Sequence, residues 1–401
     1  MGLKFKNLFV TRSFLHRSVG TLKKEIEQEF RFIANQVDQS IEDSESRIVS
    51  FLSDTVMKFT DNVVKENYKT IKLQNAVNLF LQRYYGKTKL GDYSTHYISY
   101  YYEAICETAN LGDYIQSIAT EDAIQRCTAS PVIFEYVLRS ALTDHPGGTC
   151  VMQGWYEHRQ LTFIPGPDTR PIWIGTHLCS EIRERVKYLL DNSSVQLNDI
   201  GCRDKSTLDF CRSLGLNAYF SRCLTLTLPK RNVNESNHAS TIYLVDCSDS
   251  IVESLPRDIK EGAKRISQRN YKFNNWQNWK LCRHAAEELL AEYKKEAKLI
   301  VTTALHCAQP CLAMGIPVVF INPSYDEADR FTSMDGIIPQ YTIDDIRESR
   351  VDFNIPAPEF EDLKLAILRN LELSLKEKLT DEEILERLKV RTFIEQYNIR
   401  S

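Results

Sequence analysis

Residues 299–321 read Leu299-Ile300-Val301-Thr302-Thr303-Ala304-Leu305-His306-Cys307-Ala308-Gln309-Pro310-Cys311-Leu312-Ala313-Met314-Gly315-Ile316-Pro317-Val318-Val319-Phe320-Ile321. The runs 299–302 and 318–321 are short, apolar and β-branched, and turn residues bound them. That texture marks strands of a parallel sheet covered on both faces. Between them the sequence predicts a turn, a short helix and a break at Gly315-Ile316-Pro317. His306 then falls just beyond a strand's carboxyl end, at the mouth of the following helix. Open α/β sheets bind ligands at such corners, because helix N-termini offer free N–H groups and a positive dipole end. One ionisable ring in an otherwise apolar unit points to an anion site.

The same rhythm extends outward in both directions. Strands are predicted at 149–153, 171–174, 195–200, 218–220, 224–228 and 241–245, with helices at 114–126, 180–191, 205–214 and 276–298. Gly215 is placed as the left-handed cap of the third of these helices. Alternating strands and helices give an α/β fold with two Rossmann-like domains, 95–235 and 236–350, whose strand ends face a cleft. Residues from 344 onward read as a linker, and 359–376 and 381–395 as the helices of a C-terminal tail spanning 351–401.

Composition narrows the function classes. A formal net charge of −4 over 401 residues argues against a general nucleic-acid binder, which needs a basic face. No apolar run reaches the length of a membrane-spanning helix, and no secretory signal follows the start. Eleven cysteines are scattered without a paired framework, as buried thiols of a reducing cytoplasm are. Cys307 and Cys311 flank the His306 helix, yet a full ligand set for a metal is not visible, so no metal is expected.

The first 94 residues differ in kind. Residues 1–24 carry Lys4, Lys6, Arg12, Arg17, Lys23 and Lys24 without an acid, interleaved with Phe5, Phe9 and Phe14. Such an arm either packs locally or lies on an anionic membrane surface as a peripheral contact. Ile26, Val37, Ile48 and Phe59 recur every eleven residues, as do Phe30, Ile41, Leu52 and Val63. An eleven-residue repeat closes three helical turns and draws a nearly straight apolar stripe. Residues 21–67 are therefore expected to form a long helix that self-associates into a homo-oligomer.

Several polar residues stand at predicted strand ends or helix starts. Asp113 opens a helix in Asn110-Leu111-Gly112-Asp113, where it reads first as an N-cap. Arg203 precedes a helix and adds a planar, permanently charged fork, unless it merely pairs with Asp204 or Asp209 on the surface. His177 ends Ile174-Gly175-Thr176-His177 and reads first as a satisfied wall residue, second as an acceptor contact.

Taken together, Asn110–Gln116, Gly154-Trp155, Ile174–His177, Gly201–Leu208, Ser221–Leu228 and Leu305-His306 with Gly315-Ile316-Pro317 resemble the polysaccharide pyruvyl transferase family over about residues 95–345. The resemblance implies a fold similar to two-domain GT-B glycosyltransferases. It also implies transfer of the enolpyruvyl carbons of phosphoenolpyruvate onto two hydroxyls of a sugar, on a cell-surface polysaccharide or a lipid-linked glycan precursor. No cofactor is implied, since phosphoenolpyruvate is a substrate. By the same resemblance Asp113, Arg203, Leu305 and His306 line the donor site. With phosphoenolpyruvate as donor, Arg203, Leu305 and His306 are expected to bind it and Asp113 and His306 to be catalytic: Asp113 takes the acceptor proton or holds the His306 tautomer, and His306 gives a proton to phosphate.

This chain departs from the family pattern Arg-Leu-His by carrying Ala304. One charged hydrogen-bonded contact, worth about 1.5–3 kcal/mol, is thereby lost, and Arg222 and Arg330 are candidate substitute cations. Two other readings compete: a glycosyltransferase of the same architecture that uses a sugar nucleotide, and a non-catalytic scaffold of a polysaccharide-synthesis complex.

Overall fold

A computed structural model describes residues 96–399 apart from 103–104, 130–131, 140–141, 143–146, 157–164, 166–168, 181, 185, 188–196 and 324–327. The basic arm and the eleven-residue stripe, with the membrane contact and self-association expected of them, lie outside the described residues. The expected helix at 180–191 does so in part.

The first half runs β1 (His96–Tyr101), β2 (Ile105–Ala109), α1 (Leu111–Cys127), β3 (Ile133–Leu138), β4 (Gly148–Val151), β5 (Gly154–Tyr156), β6 (Thr169–Ile172), β7 (Thr176–Leu178), β8 (Ile200–Cys202), α2 (Lys205–Ser213) and β9 (Ala218–Phe220). Its strands form two four-stranded parallel sheets, ordered β3-β1-β4-β6 and β5-β7-β8-β9. Hydrogen bonding continues across the breaks between them. The Met152 N–H reaches the Ile172 carbonyl at 2.8 Å, and the Gly201 N–H reaches that of Trp173 at 2.8 Å.

The second half holds β10 (Thr241–Val245), β11 (Lys264–Ile266), β12 (Tyr271–Asn278), α3 (Trp279–Glu296), β13 (Ala297–Thr302), α4 (Leu305–Ala313), β14 (Val318–Ile321) and β15 (Gln340–Tyr341). Five strands make a parallel sheet ordered β11-β10-β13-β14-β15. The chain leaves β10 in one direction for β11 and returns on its other side at β13. Parallel sheets whose order reverses in this way bind ligands beyond the carboxyl ends of the strands at the reversal, here β10 and β13. The three central strands are apolar runs too short to be helices, and Val318–Ile321 is buried throughout, while the edge strands β11 and β15 are polar.

The halves are joined by more than a linker. β2 of the first half pairs antiparallel with β12 of the second, Ala109 against Tyr271 and Cys106 against Gln277. Tyr101 stacks on Trp279 with ring centroids 4.7 Å apart. Glu121 of α1 takes a two-pronged ion pair from Arg283 of α3 at 2.6 and 2.8 Å. One apolar core runs continuously from Tyr97 through Leu224, Cys307 and Phe320 to Ile394, and a smaller one lies around Leu244, Val301 and Val319.

The tail helices α5 (Glu361–Leu375) and α6 (Asp381–Gln396) return to the first half. Arg391 of α6 pairs with Asp199 at 2.5 and 2.9 Å and lies 3.5 Å over the Tyr219 ring.

Three expectations need correction. Residues 224–228 do not form a strand; Leu224–Thr227 is a turn of 3₁₀ helix. The alternating Leu-Thr texture mimics a strand, but Arg222 at φ 56° turns the chain off the sheet. The hydroxyls then bond locally and to α4: Thr227 to the Leu224 carbonyl at 2.7 Å and Thr225 to Gln309 at 2.9 Å. Residues 343–347 are helical rather than linker, because Thr342 and Asp345 close a capping box. The cap of α1 is Asn110, whose side chain accepts from the Gly112 N–H at 3.1 Å, so Asp113 sits inside the first turn.

Candidate active site

Four helix starts and strand ends converge on one group of polar side chains. Arg203 follows β8 and is fully shielded from solvent, which corrects its reading as a surface residue. Its Nη1 reaches Gln116 Oε1 of α1 at 3.4 Å and His306 Nε2 of α4 at 3.3 Å. Asp204 Oδ2 lies 3.8 Å from its Nε. The Nε and Nη2 hydrogens of Arg203 have no hydrogen-bond partner among the described residues. A buried guanidinium in that condition is costly unless an anion completes it.

His306 keeps some exposure, while Ala304 and Leu305 beside it are buried. The Ala304 N–H is held by Thr302 Oγ1 at 3.0 Å, and Leu305 belongs to the main core, so Leu305 contributes its backbone at the start of α4. The His306 carbonyl accepts from Gln268 Nε2 at 3.0 Å, and its Cβ is packed against Gly112. A Cβ added at Gly112 would stand 3.2 Å from that of His306. Because Arg203 only donates, His306 Nε2 must accept, and its neutral ring carries the proton on Nδ1.

Burial first, and then the neighbouring Arg203, Arg330 and His177, hold the His306 imidazole well below its ordinary pKa of 6.5. His306 is therefore neutral at pH 7 in the unliganded site. The linkage has a definite sign. Below pH 6.5 the unfolded chain takes up a proton that the folded site refuses, so stability falls as pH falls. Between about pH 6.5 and 5.5 wild type should lose up to about 1 kcal/mol more than a His306→Gln variant. Denaturant melts of both proteins at the two pH values check this.

Asp113 is held by Asn110 Nδ2 at 3.2 Å and Gln116 Nε2 at 3.1 Å. Through Gln116 it is two hydrogen bonds from Arg203, so α1 links carboxylate and guanidinium. His177 lies in the middle of β7 rather than past a strand end as expected, and it pairs its Nδ1 with Asp204 Oδ2 at 2.6 Å, both side chains being buried. Burial pushes the Asp204 carboxyl up, but His177, Arg203 and the Thr207 N–H outweigh it and hold Asp204 below the usual carboxylate range. Trp155 packs on His177 with ring centroids 4.7 Å apart, and Arg330 lies 4.8 Å over Trp155.

The two candidate substitute cations part here. Arg330 lies over Trp155, which packs on His177, and so stands beside the group. Arg222 does not serve. Its fork donates to the carbonyls of Ile394, Ser333, Asp335 and Tyr397 at 2.8–3.3 Å, and burial draws its pKa down to about 10. Arg222 is a structural clamp on the tail.

Sequence reasoning missed Asp246, Gln268 and Arg269. Asp246, at φ 53° after β10, accepts from the Ser267 hydroxyl and from the Gln268 and Arg269 N–H groups. Gln268 thereby reaches His306, and Arg269 donates to the Thr303 hydroxyl beside Ala304. Nothing local marks these residues, because their proximity depends on β10, β11 and β13 lying side by side.

Among the described residues no group of three or more His, Cys, Asp or Glu side chains is placed to hold a metal, and no helix is long and apolar enough to cross a membrane. The arrangement can grip a small anion between Arg203, His306 and Arg330, with an Asp-paired imidazole alongside.

Comparison with known proteins agrees in kind. None of the curated proteins compared matches this chain. A functionally uncharacterized protein of Klebsiella pneumoniae is similar in structure at 15% identity and a TM-score of 0.36, covering 64% of this chain and 91% of its own. The family model for polysaccharide pyruvyl transferase matches residues 110–325, the span that carries Asp113, His177, Arg203 and His306. With more than half of its length matched, this chain belongs to the polysaccharide pyruvyl transferase family, and so to a family of transferases.

Proposed function

We propose that the protein transfers the enolpyruvyl group of phosphoenolpyruvate to a sugar, closing a pyruvate ketal on two hydroxyls of a polysaccharide or its precursor. In this reading the two parallel-sheet halves are Rossmann-like lobes of a GT-B type, and the donor lies where their strand ends meet. The observation that carries it is Arg203, buried with its Nε and Nη2 hydrogens without a hydrogen-bond partner among the described residues and with His306 against it. Phosphoenolpyruvate has two anionic ends, a carboxylate and a phosphate. Arg203 is suited to one in a two-pronged contact. Arg330 and the N–H groups opening α4 are suited to the other. No cofactor enters the reaction.

Thermal melting in the presence of phosphoenolpyruvate tests this directly. At a hundredfold excess over its dissociation constant a ligand stabilises by about 2.7 kcal/mol, a rise of several degrees in Tm. Phosphate should then be released when sugars with neighbouring free hydroxyls are added. Stabilisation by a sugar nucleotide, with none by phosphoenolpyruvate, would transfer the assignment to a glycosyltransferase.

Restoring the family's arginine is a second test. Ala304→Arg is expected to tighten phosphoenolpyruvate binding about ten- to a hundredfold, read by isothermal titration. Unchanged or weaker binding would show that Ala304 does not face the donor.

A further inference from the structure

We propose that His177 and Asp204 form the proton-transfer dyad of this site, an assignment that rests on the phosphoenolpyruvate reading above. β7 pairs with β8 through Thr176 and Cys202, so His177, the middle residue of β7, and Arg203, just past β8, stand side by side on neighbouring strands. Asp204 stands between them, its Oδ2 2.6 Å from His177 Nδ1 and 3.8 Å from Arg203 Nε. The other carboxylate oxygen caps α2 by accepting the Thr207 N–H at 2.9 Å, which fixes the rotamer. Trp155 lies against the imidazole, so the ring cannot swing freely. An ionised carboxylate only accepts, and Nδ1 is therefore the protonated nitrogen of neutral His177. Nε2 is left with the lone pair, as in other imidazoles oriented by a buried aspartate. His306 differs: its Nε2 accepts from Arg203, which suits it to hold an anion rather than to exchange protons.

The dyad carries one proton. The donor is first protonated at its methylene carbon, C3, by solvent, which leaves positive charge at C2. As the first acceptor hydroxyl oxygen bonds to C2, Nε2 takes its proton and Asp204 balances the imidazolium. The bond between C2 and the phosphate oxygen then breaks, its electron pair leaves with phosphate, and phosphate takes the proton from Nε2. Closure by the second hydroxyl returns one proton to solvent, so the sum is one ketal and one phosphate per donor.

The test uses His177→Asn in the full chain, because asparagine keeps an N–H near the Nδ1 position for Asp204 and lacks a basic nitrogen. Phosphate release from phosphoenolpyruvate and sugar acceptor should fall about 10²- to 10⁴-fold, while the Tm rise with phosphoenolpyruvate stays as in wild type. A merely structural histidine would instead lose stability or donor binding together with turnover. Turnover at the wild-type rate overturns the dyad and leaves the donor assignment standing. Absence of any phosphoenolpyruvate shift in wild type removes the donor reading and this step with it. Should the variant fail to fold, ¹⁵N histidine spectra of the wild-type chain decide: neutral His177 with its proton on Nδ1 supports the dyad, and a proton on Nε2 overturns it.

Discussion

Replacing Arg203 with methionine should abolish the Tm rise with phosphoenolpyruvate and leave the unliganded protein at least as stable as its parent. The two halves of this expectation share one cause. Arg203 is fully buried and two of its nitrogens lack hydrogen-bond partners among the described residues, so it burdens the folded state until an anion arrives. Apolar replacement of a buried charge of similar volume is often neutral or stabilising. Binding, by contrast, loses a two-pronged charged contact, about 3–5 kcal/mol, or roughly a hundred- to several-thousandfold in Kd. Isothermal titration and melting of the same variant check both. A variant that unfolds early yet still binds the donor would show that Arg203 is structural.

Arg222→Met should do the opposite. Four carbonyls from the 333–335 turn and from the end of α6 accept from this side chain, and methionine supplies none of those donors. Buried carbonyls left without partners cost about 1–3 kcal/mol each. A total of roughly 4 kcal/mol is expected after partial relaxation, a drop in Tm on the order of 10 °C. Residues 381–397 should become the first segment cut in limited proteolysis. Donor affinity measured well below the new Tm should stay within a few-fold of wild type.

These two arginines show what a sequence can and cannot reveal. Both follow short strands and precede a turn, so neighbouring residues give them the same look. Their fates diverge through contacts over 100 residues away: Arg203 meets His306, whereas Arg222 meets Ser333 and Ile394. The central strands were legible because a four- or five-residue β-branched run between turn residues has few other uses, and 218–220, 241–245 and 318–321 stand as expected. β1 and β3 were not expected. Their tyrosine-rich faces, with Tyr97 and Phe134 in contact, lack the aliphatic texture that marked the others. At the site, the expected strand ends and helix starts singled out Asp113, Arg203 and His306, and the structure links them through Gln116 and Arg203. Asp204 was noticed only as a surface partner for Arg203, since nothing in the local sequence shows that β7 lies beside β8.

The antiparallel ribbon of β2 and β12, together with the returning helices α5 and α6, has a consequence for anyone who would recombine such enzymes. Two sheet-bearing halves of one chain invite use as modules to be grafted between relatives. Here a cut between 235 and 236 would strip a strand from its partner on each side and orphan the tail from the surface it covers. Chimeras of this chain should therefore be joined elsewhere, carrying residues 105–109 with 271–278 and the last fifty residues with the first lobe.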